Sequence, residues 1–170
     1  IYCLDLCKTK FTGMKQVKPN VFDSSAAEYD NWFDRHPALF QNELMALKKV
    51  IPDTGMGVEI GAGTGRFAKA LKITVAVEPS QAMAELAMAK GILVVKAKAA
   101  LLPFHSLSFD YAIMITTVCF LDNIPKVFAE ANRIIKKGGF FIVAMIDKDS
   151  ELGKQYEAKK AVSLWYKDAH

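Results

Sequence analysis

The chain has 170 residues, 52% of them hydrophobic and 24% charged, which suits one domain with a substantial core. Its net charge of +4 comes from lysines scattered along helix-like stretches, without the basic block that would call for nucleic acid. The longest apolar runs, such as residues 140–146, are too short to cross a bilayer, and no basic-then-apolar leader opens the chain, so a cytoplasmic protein with no membrane partner is expected.

The first thirteen residues do not connect to the pattern downstream, and Met14 reads as an alternative natural start. Cys3, Cys7 and Cys119 form no CxxC pair and have no histidine at a zinc-like spacing, so neither a disulfide nor a metal site is expected. From Ser24 to Val50 the apolar residues Tyr29, Trp32 and Phe33, then Leu39, Phe40, Leu44 and Leu47, recur at helical spacing. Pro37 disfavours helix at His36, so two helices are predicted. Beyond Pro52, short apolar runs bounded by Gly, Pro and Asp alternate with helix-period stretches, the pattern of a parallel α/β sheet.

Strands are predicted at 57–60, 75–78, 93–96, 111–115 and 140–146. Helices are predicted at 66–71, 81–90 and 126–135, with a last one over 151–165. Ser80 is placed to cap the 81–90 helix and Gly91 to end it. Pro125 sits where a first helical residue would, and Gly138-Gly139 close the turn into the fifth strand.

The run Val58-Glu59-Ile60-Gly61-Ala62-Gly63-Thr64-Gly65-Arg66 puts a strand, a glycine turn and a helix start in direct succession. Glycines let the backbone turn sharply and approach a ligand, and amides at a helix start suit a carboxylate or phosphate. A dinucleotide fingerprint needs G-x-G-x-x-G, and its sixth position is Arg66 counted from Gly61 or Ala68 counted from Gly63, the latter a tolerated variant. Glu59, an acid on the strand beside the loop, favours instead a ligand carrying a cation, such as an α-amino group or a sulfonium. Glu78 ends the second strand, followed by Pro79-Ser80, where a carboxylate can receive both ribose hydroxyls of a nucleoside lying over the first loop. Met83 either lies close to the adenine or belongs to the core.

With these residues in view, the chain resembles the class I S-adenosylmethionine-dependent methyltransferases, in the small-molecule, type 11-like branch. VEIGAGTG looks like the first motif of that family, VAVEPS its second-strand acid motif and ALLPF the segment after the third strand. SFDYAIMITTVCFLDN looks like the fourth strand, and ANRIIKKGGFFIVAMID like the following helix and fifth strand. The resemblance implies a Rossmann-like α/β fold, a parallel sheet ordered 3-2-1-4-5 flanked by helices, with an N-terminal helical lid. It implies S-adenosyl-L-methionine as cofactor, bound by Glu59, Gly61, Ala62, Gly63, Thr64, Gly65, Glu78, Pro79, Ser80, Met83, Ala99, Thr116 and Thr117. Tyr29, Trp32 and Phe33 would form the lid over the substrate, or be plain core. The expected organisation is one domain over 1–170, with an extension at 1–23, the lid at 24–50 and a cofactor-binding core at 55–170.

Two departures stand out. Where many relatives carry an acid reaching the adenine amino group, this chain has Lys98 within AKAALLPF, and an ammonium has donors only. The chain also stops just past the helix after strand five, so the usual sixth and seventh strands are expected to be absent and the core cut short at its C-terminus, or the sheet edge to be left at strand five. His36, His105 and His170 show no partner pattern for a general base.

An activated methyl donor needs mainly a well-positioned acceptor and exclusion of water, so no triad is expected. Thr116-Thr117-Val118-Cys119 after the fourth strand takes the place of the Asn/Asp-Pro-Pro-aromatic stretch of enzymes that methylate base amino groups, which favours a small-molecule acceptor. The alternatives are an RNA or protein acceptor, a cofactor-binding protein without transfer activity, and an NAD-dependent oxidoreductase.

Overall fold

The computed structural model describes residues 21–167 and 169. The N-terminal extension as far as residue 20, with Cys3, Cys7 and Met14, and also His170, lie outside the described residues. Five parallel strands form one sheet in the order β3-β2-β1-β4-β5: β1 (Gly57–Ile60), β2 (Val75–Val77), β3 (Leu93–Val95), β4 (Phe109–Ile115) and β5 (Ile135–Ala144). Three short helices precede the sheet, α1 (Val21–Ser24), α2 (Ala26–Arg35) and α3 (Pro37–Lys48). The strands alternate with α4 (Arg66–Ala70), α5 (Gln81–Ala89) and α6 (Ile124–Ile134), and α7 (Glu151–Lys159) follows β5. This is the Rossmann-like order that the five motifs imply. Among the described residues, no helix is long and apolar enough to cross a membrane.

Side-chain alternation along β4 separates the two core layers. Tyr111, Ile113 and Ile115 join Phe33, Leu47, Phe67 and Ala87 on one face. Ala112 and Met114 join Val58, Ile60, Val127 and Ile134 on the other. Near-continuous burial of β1 and β4 matches strands covered on both sides, and each large apolar side chain removed from water contributes about 1.5–3 kcal/mol.

Local chemistry explains most element ends. The Ser80 hydroxyl accepts the Met83 amide at the start of α5, and Gly91 follows that helix with φ 89°. At α6 the cap is Asn123, whose side chain accepts the Lys126 amide, so the helix begins two residues before the predicted start and Pro125 is its second residue. Nor does α6 reach residue 135. Ile135 is already extended and pairs with Phe109, so β5 begins earlier than the predicted residue 140. The pairing lapses between Phe109↔Ile135 and Tyr111↔Phe140; residues 136–139 bulge there, with Gly138 at φ 80° and Lys136 paired to Asp110 at 2.8 Å. Gly138-Gly139 therefore shape a bulge inside the strand rather than a turn before it.

The last helix is also shorter than predicted. α7 ends at Lys159, a 3-10 turn covers Lys160–Val162, and Ser163 is extended. Trp165 is thereby turned back to α1 and α2, where its indole N–H donates to Ser25 Oγ at 2.9 Å.

Candidate functional site

The glycine turn leaves β1 at Ile60 and enters α4, with φ values of 76°, 54° and 75° at Gly61, Gly63 and Gly65. It is fastened to the tip of β2. The amides of Gly61 and Ala62 both donate to the Val77 carbonyl, at 2.8 and 3.1 Å. The Gly63 amide donates to Glu78 Oε2 and the Ser80 amide to Glu78 Oε1, both at 2.8 Å. Glu78, 6% exposed, thus joins the turn to the start of α5, while each of its oxygens retains acceptor capacity for a further donor. Burial raises its carboxyl above the usual range, against the pull of the Ser80 and Gly63 amides.

A side chain would meet different surroundings at two of these positions. A side chain on Gly61 would meet Thr117 Cγ2 at 2.4 Å, so the end of β4 leaves it no room. A Cβ on Gly63 would find only the Tyr29 ring, at 3.8 Å. The turn therefore stays open toward Tyr29, the side from which a ligand can approach it.

Glu59 sits between Val58 and Ile60 on β1 but faces the opposite layer, 1% exposed. Its Oε2 has no hydrogen-bond partner among the described residues. Burial pushes its carboxyl up to about 8, opposed by the Ala68 backbone and reinforced by Glu78. A buried acid with one oxygen unpartnered is costly when charged and becomes favourable beside a cation. The carboxyl has an ordinary value of 4.5, so between that and about 8 it holds a proton in the fold that the unfolded chain has lost. Its contribution is therefore fullest at low pH and declines as pH rises toward 8. In ligand-free protein the thermal midpoint should fall from about pH 5 to about pH 8, and Glu59→Gln should flatten that fall. A slope unaltered by the substitution would contradict this assignment.

The other predicted site residues are distributed as follows. Thr117 lies against the glycine turn, its hydroxyl within reach of the Gly61 and Ile115 carbonyls at 3.1 and 2.9 Å. Thr116, at φ 50°, donates its amide to the Ala144 carbonyl at 2.8 Å. Thr64 is buried, and its hydroxyl donates to Asp30 of α2 at 2.5 Å. Met83 is 1% exposed in the interior of α5, Pro79 is exposed, and Ala99 packs partly buried beside Ala97, Ala100 and Phe104. Lys98 is exposed.

The aromatic triplet divides. Tyr29 approaches the glycine turn and meets Phe22, Phe33 and Trp165 edge-on at 6.1, 5.4 and 5.5 Å. Phe33 is buried in the core between Phe40 and Phe67. Trp32 packs against Phe33 and stacks on His36 at 4.3 Å.

Two groups of contacts escaped sequence reasoning. Asp30 and Asp34 of α2 grip Arg66, at 2.8 and 2.7 Å, and Asp30 also receives Lys90 at 3.2 Å. Together with Thr64 they hold α2 onto the residues that follow the glycine turn. Asp30 and Asp34 lie four apart on one helical face, a spacing that could have signalled a cation opposite. In the second group, Asp23 of α1 accepts the Ser80 hydroxyl at 2.6 Å. Nothing local in the sequence marks that contact, which spans 57 residues.

Comparison with known proteins gives a consistent picture. A family model described as a methyltransferase domain matches residues 58–143. A Thermotoga maritima structure, described as a SAM-dependent methyltransferase and possible histamine N-methyltransferase, is 47% identical, with a TM-score of 0.85 over 88% of this chain and 72% of that one. An uncharacterized protein of Methanocaldococcus jannaschii is 48% identical over 89% of this chain and 73% of its own length. An uncharacterized protein of Mycobacterium tuberculosis is 30% identical over 80% of this chain, which spans about half (49%) of that relative.

Proposed function

The chain belongs to the methyltransferase-domain family, and from that membership we propose that it transfers a methyl group from S-adenosyl-L-methionine to a small-molecule acceptor. The observation that carries the cofactor assignment is the pair of buried carboxylates on either side of an open glycine turn. Glu59, with an orphaned oxygen, suits the cationic end of the ligand, and Glu78 retains acceptor capacity for ribose hydroxyls. Gly61, Ala62, Gly63, Thr64 and Gly65 form the cradle, Pro79, Ser80, Met83 and Ala99 flank the nucleoside end, and Thr116 and Thr117 border the methionine end. The relation to the Thermotoga protein supports the same cofactor.

When bound, the cofactor supplies a methyl group already activated by a positively charged sulfur. What remains for the protein is orientation and dryness. The backbone of the turn, held by Val77 and Glu78, fixes where a ligand lies before it arrives. Tyr29, with Phe22 and Trp165 around it, lines the space onto which Gly63 opens, so that its ring would shield a ligand held there from water. No side chain is assigned as a base. One domain carries the lid helices and the sheet.

The test is methyl transfer from radiolabelled S-adenosyl-L-methionine to a panel of small amines, phenols and quinol precursors. Label is expected in at least one acceptor. No labelled product across the panel, despite cofactor binding, would favour a binding protein without transfer activity.

A further inference from the structure

Thr64 stands in the glycine turn between Gly63 at φ 54° and Gly65 at φ 75°, with the residue type of widest backbone freedom on either side of it. A cradle made of such backbone keeps its shape only if something outside it holds it; otherwise ordering the cradle opposes binding. At one end the Gly63 amide donates to Glu78 at 2.8 Å. At the other end the hold is Asp30 of α2. Its Oδ1 accepts the Thr64 hydroxyl at 2.5 Å and Lys90 Nζ at 3.2 Å, and the same ammonium donates to the Thr64 carbonyl at 3.0 Å. Thr64 is thus held directly by its side chain and, through Lys90, by its backbone.

An exposed ion pair between two helices contributes little, and Asp30 is not one. Its side chain is 16% exposed, and Arg66, the first residue of α4, adds Nε at 2.8 Å and Nη2 at 3.1 Å. Burial pulls the Asp30 carboxyl up, but the bonds from Arg66, Thr64 and Lys90 outweigh it and hold the group below the usual carboxylate range. Asp34, one helical turn further on and 63% exposed, gives both its oxygens to Arg66. The residue before Asp30 is Tyr29, whose ring faces Gly63. A single stretch of α2 therefore carries both the ring beside the turn and the anion that holds the turn.

We propose that Asp30 is a positioning residue for the methyl donor, which fixes Thr64 from outside the cradle and so keeps the Gly63 and Gly65 backbone in the arrangement that receives the ligand. The inference rests on the cofactor part of the methyl-transfer reading, and Asp30 acts through Thr64 and Lys90 rather than on the ligand. If the released turn takes the competent arrangement in about a tenth of molecules, the apparent dissociation constant rises about ten-fold.

Asp30→Ala and Asp34→Ala, compared with the unsubstituted chain, test it by calorimetric titration with S-adenosylhomocysteine and by amide hydrogen exchange of the ligand-free chain. Asp30→Ala should weaken binding about ten-fold. The Gly63 and Gly65 amides, which donate to Glu78 and to the Ala62 carbonyl, should exchange about ten-fold faster or more, while the amides of β4, the gauge of global stability, change less. Asp34→Ala should alter neither affinity nor the turn. Unchanged affinity in Asp30→Ala, equal acceleration of turn and β4 amides as a merely structural role requires, or an equal loss of affinity in Asp34→Ala would each overturn the proposal. Should Asp30→Ala not fold, Lys90→Met, which removes the ammonium from the Thr64 carbonyl and keeps an apolar stem, takes its place in both measurements with the same outcomes. Failure of S-adenosylhomocysteine to bind the unsubstituted chain would instead remove the cofactor reading, and exchange at Gly63 and Gly65 would still decide whether Asp30 holds the turn.

Discussion

Gly63→Val is expected to weaken S-adenosyl-L-methionine binding at least about 100-fold, because a branched side chain placed in ligand space costs roughly 3 kcal/mol. The structure separates this from a packing defect. At Gly63 a Cβ would touch only Tyr29 at an ordinary 3.8 Å, so the lost volume belongs to the ligand and not to the core. The backbone there has φ 54°, so valine also adds strain of about 1–3 kcal/mol to the fold. Gly91→Val supplies the control, since Gly91 has φ 89° and nothing within 4 Å of its Cβ. Both variants should lose comparable stability in chemical denaturation, while only the Gly63 variant loses affinity. Retained affinity in Gly63→Val would reduce the glycine run to a turn.

The second large effect belongs to Glu78. Removing its carboxylate should cost about 1–3 kcal/mol of cofactor affinity if ribose hydroxyls donate to it. Glu78→Ala would also strand the Gly63 and Ser80 amides, and a buried donor left alone costs a further 1–3 kcal/mol of stability each. Glu78→Gln preserves the volume and one acceptor oxygen, so it strands one of the two amides where alanine strands both, and it disturbs the turn less. A cofactor analogue without the two ribose hydroxyls makes the assignment specific: the unsubstituted chain should discriminate against it, and Glu78→Gln should discriminate much less. An unchanged dissociation constant for the natural cofactor in Glu78→Gln would remove the ribose role.

The parts of this fold that were legible from sequence have local causes. Pro37 divides α2 from α3, Ser80 caps α5 with its own hydroxyl, and short apolar runs become strands because the sheet buries both faces. The order β3-β2-β1-β4-β5 followed from motifs in sequence, each carrying its position in the sheet. What was missed depends on partners far along the chain. Ile135 is strand rather than helix because Phe109 is there to pair with it. Residues 163–165 leave the helical path, and Trp165 finds Ser25, 140 residues away. No pattern within α7 announces that.

The same division runs through the site. Glu59, Gly61, Gly63 and Glu78 were identifiable because a strand-turn-helix unit and a strand tip have recognisable chemistry. The ion pairs of Asp30 and Asp34 with Arg66 were not, since they connect α2 to α4 across more than thirty residues.

Isothermal titration of the chain with S-adenosyl-L-methionine and, separately, NAD is the most direct test of two carboxylates gripping an adenosyl sulfonium ligand across the glycine turn. Saturable one-to-one binding of S-adenosyl-L-methionine, with no heat from NAD, is the predicted outcome. Binding of NAD without S-adenosyl-L-methionine would contradict it.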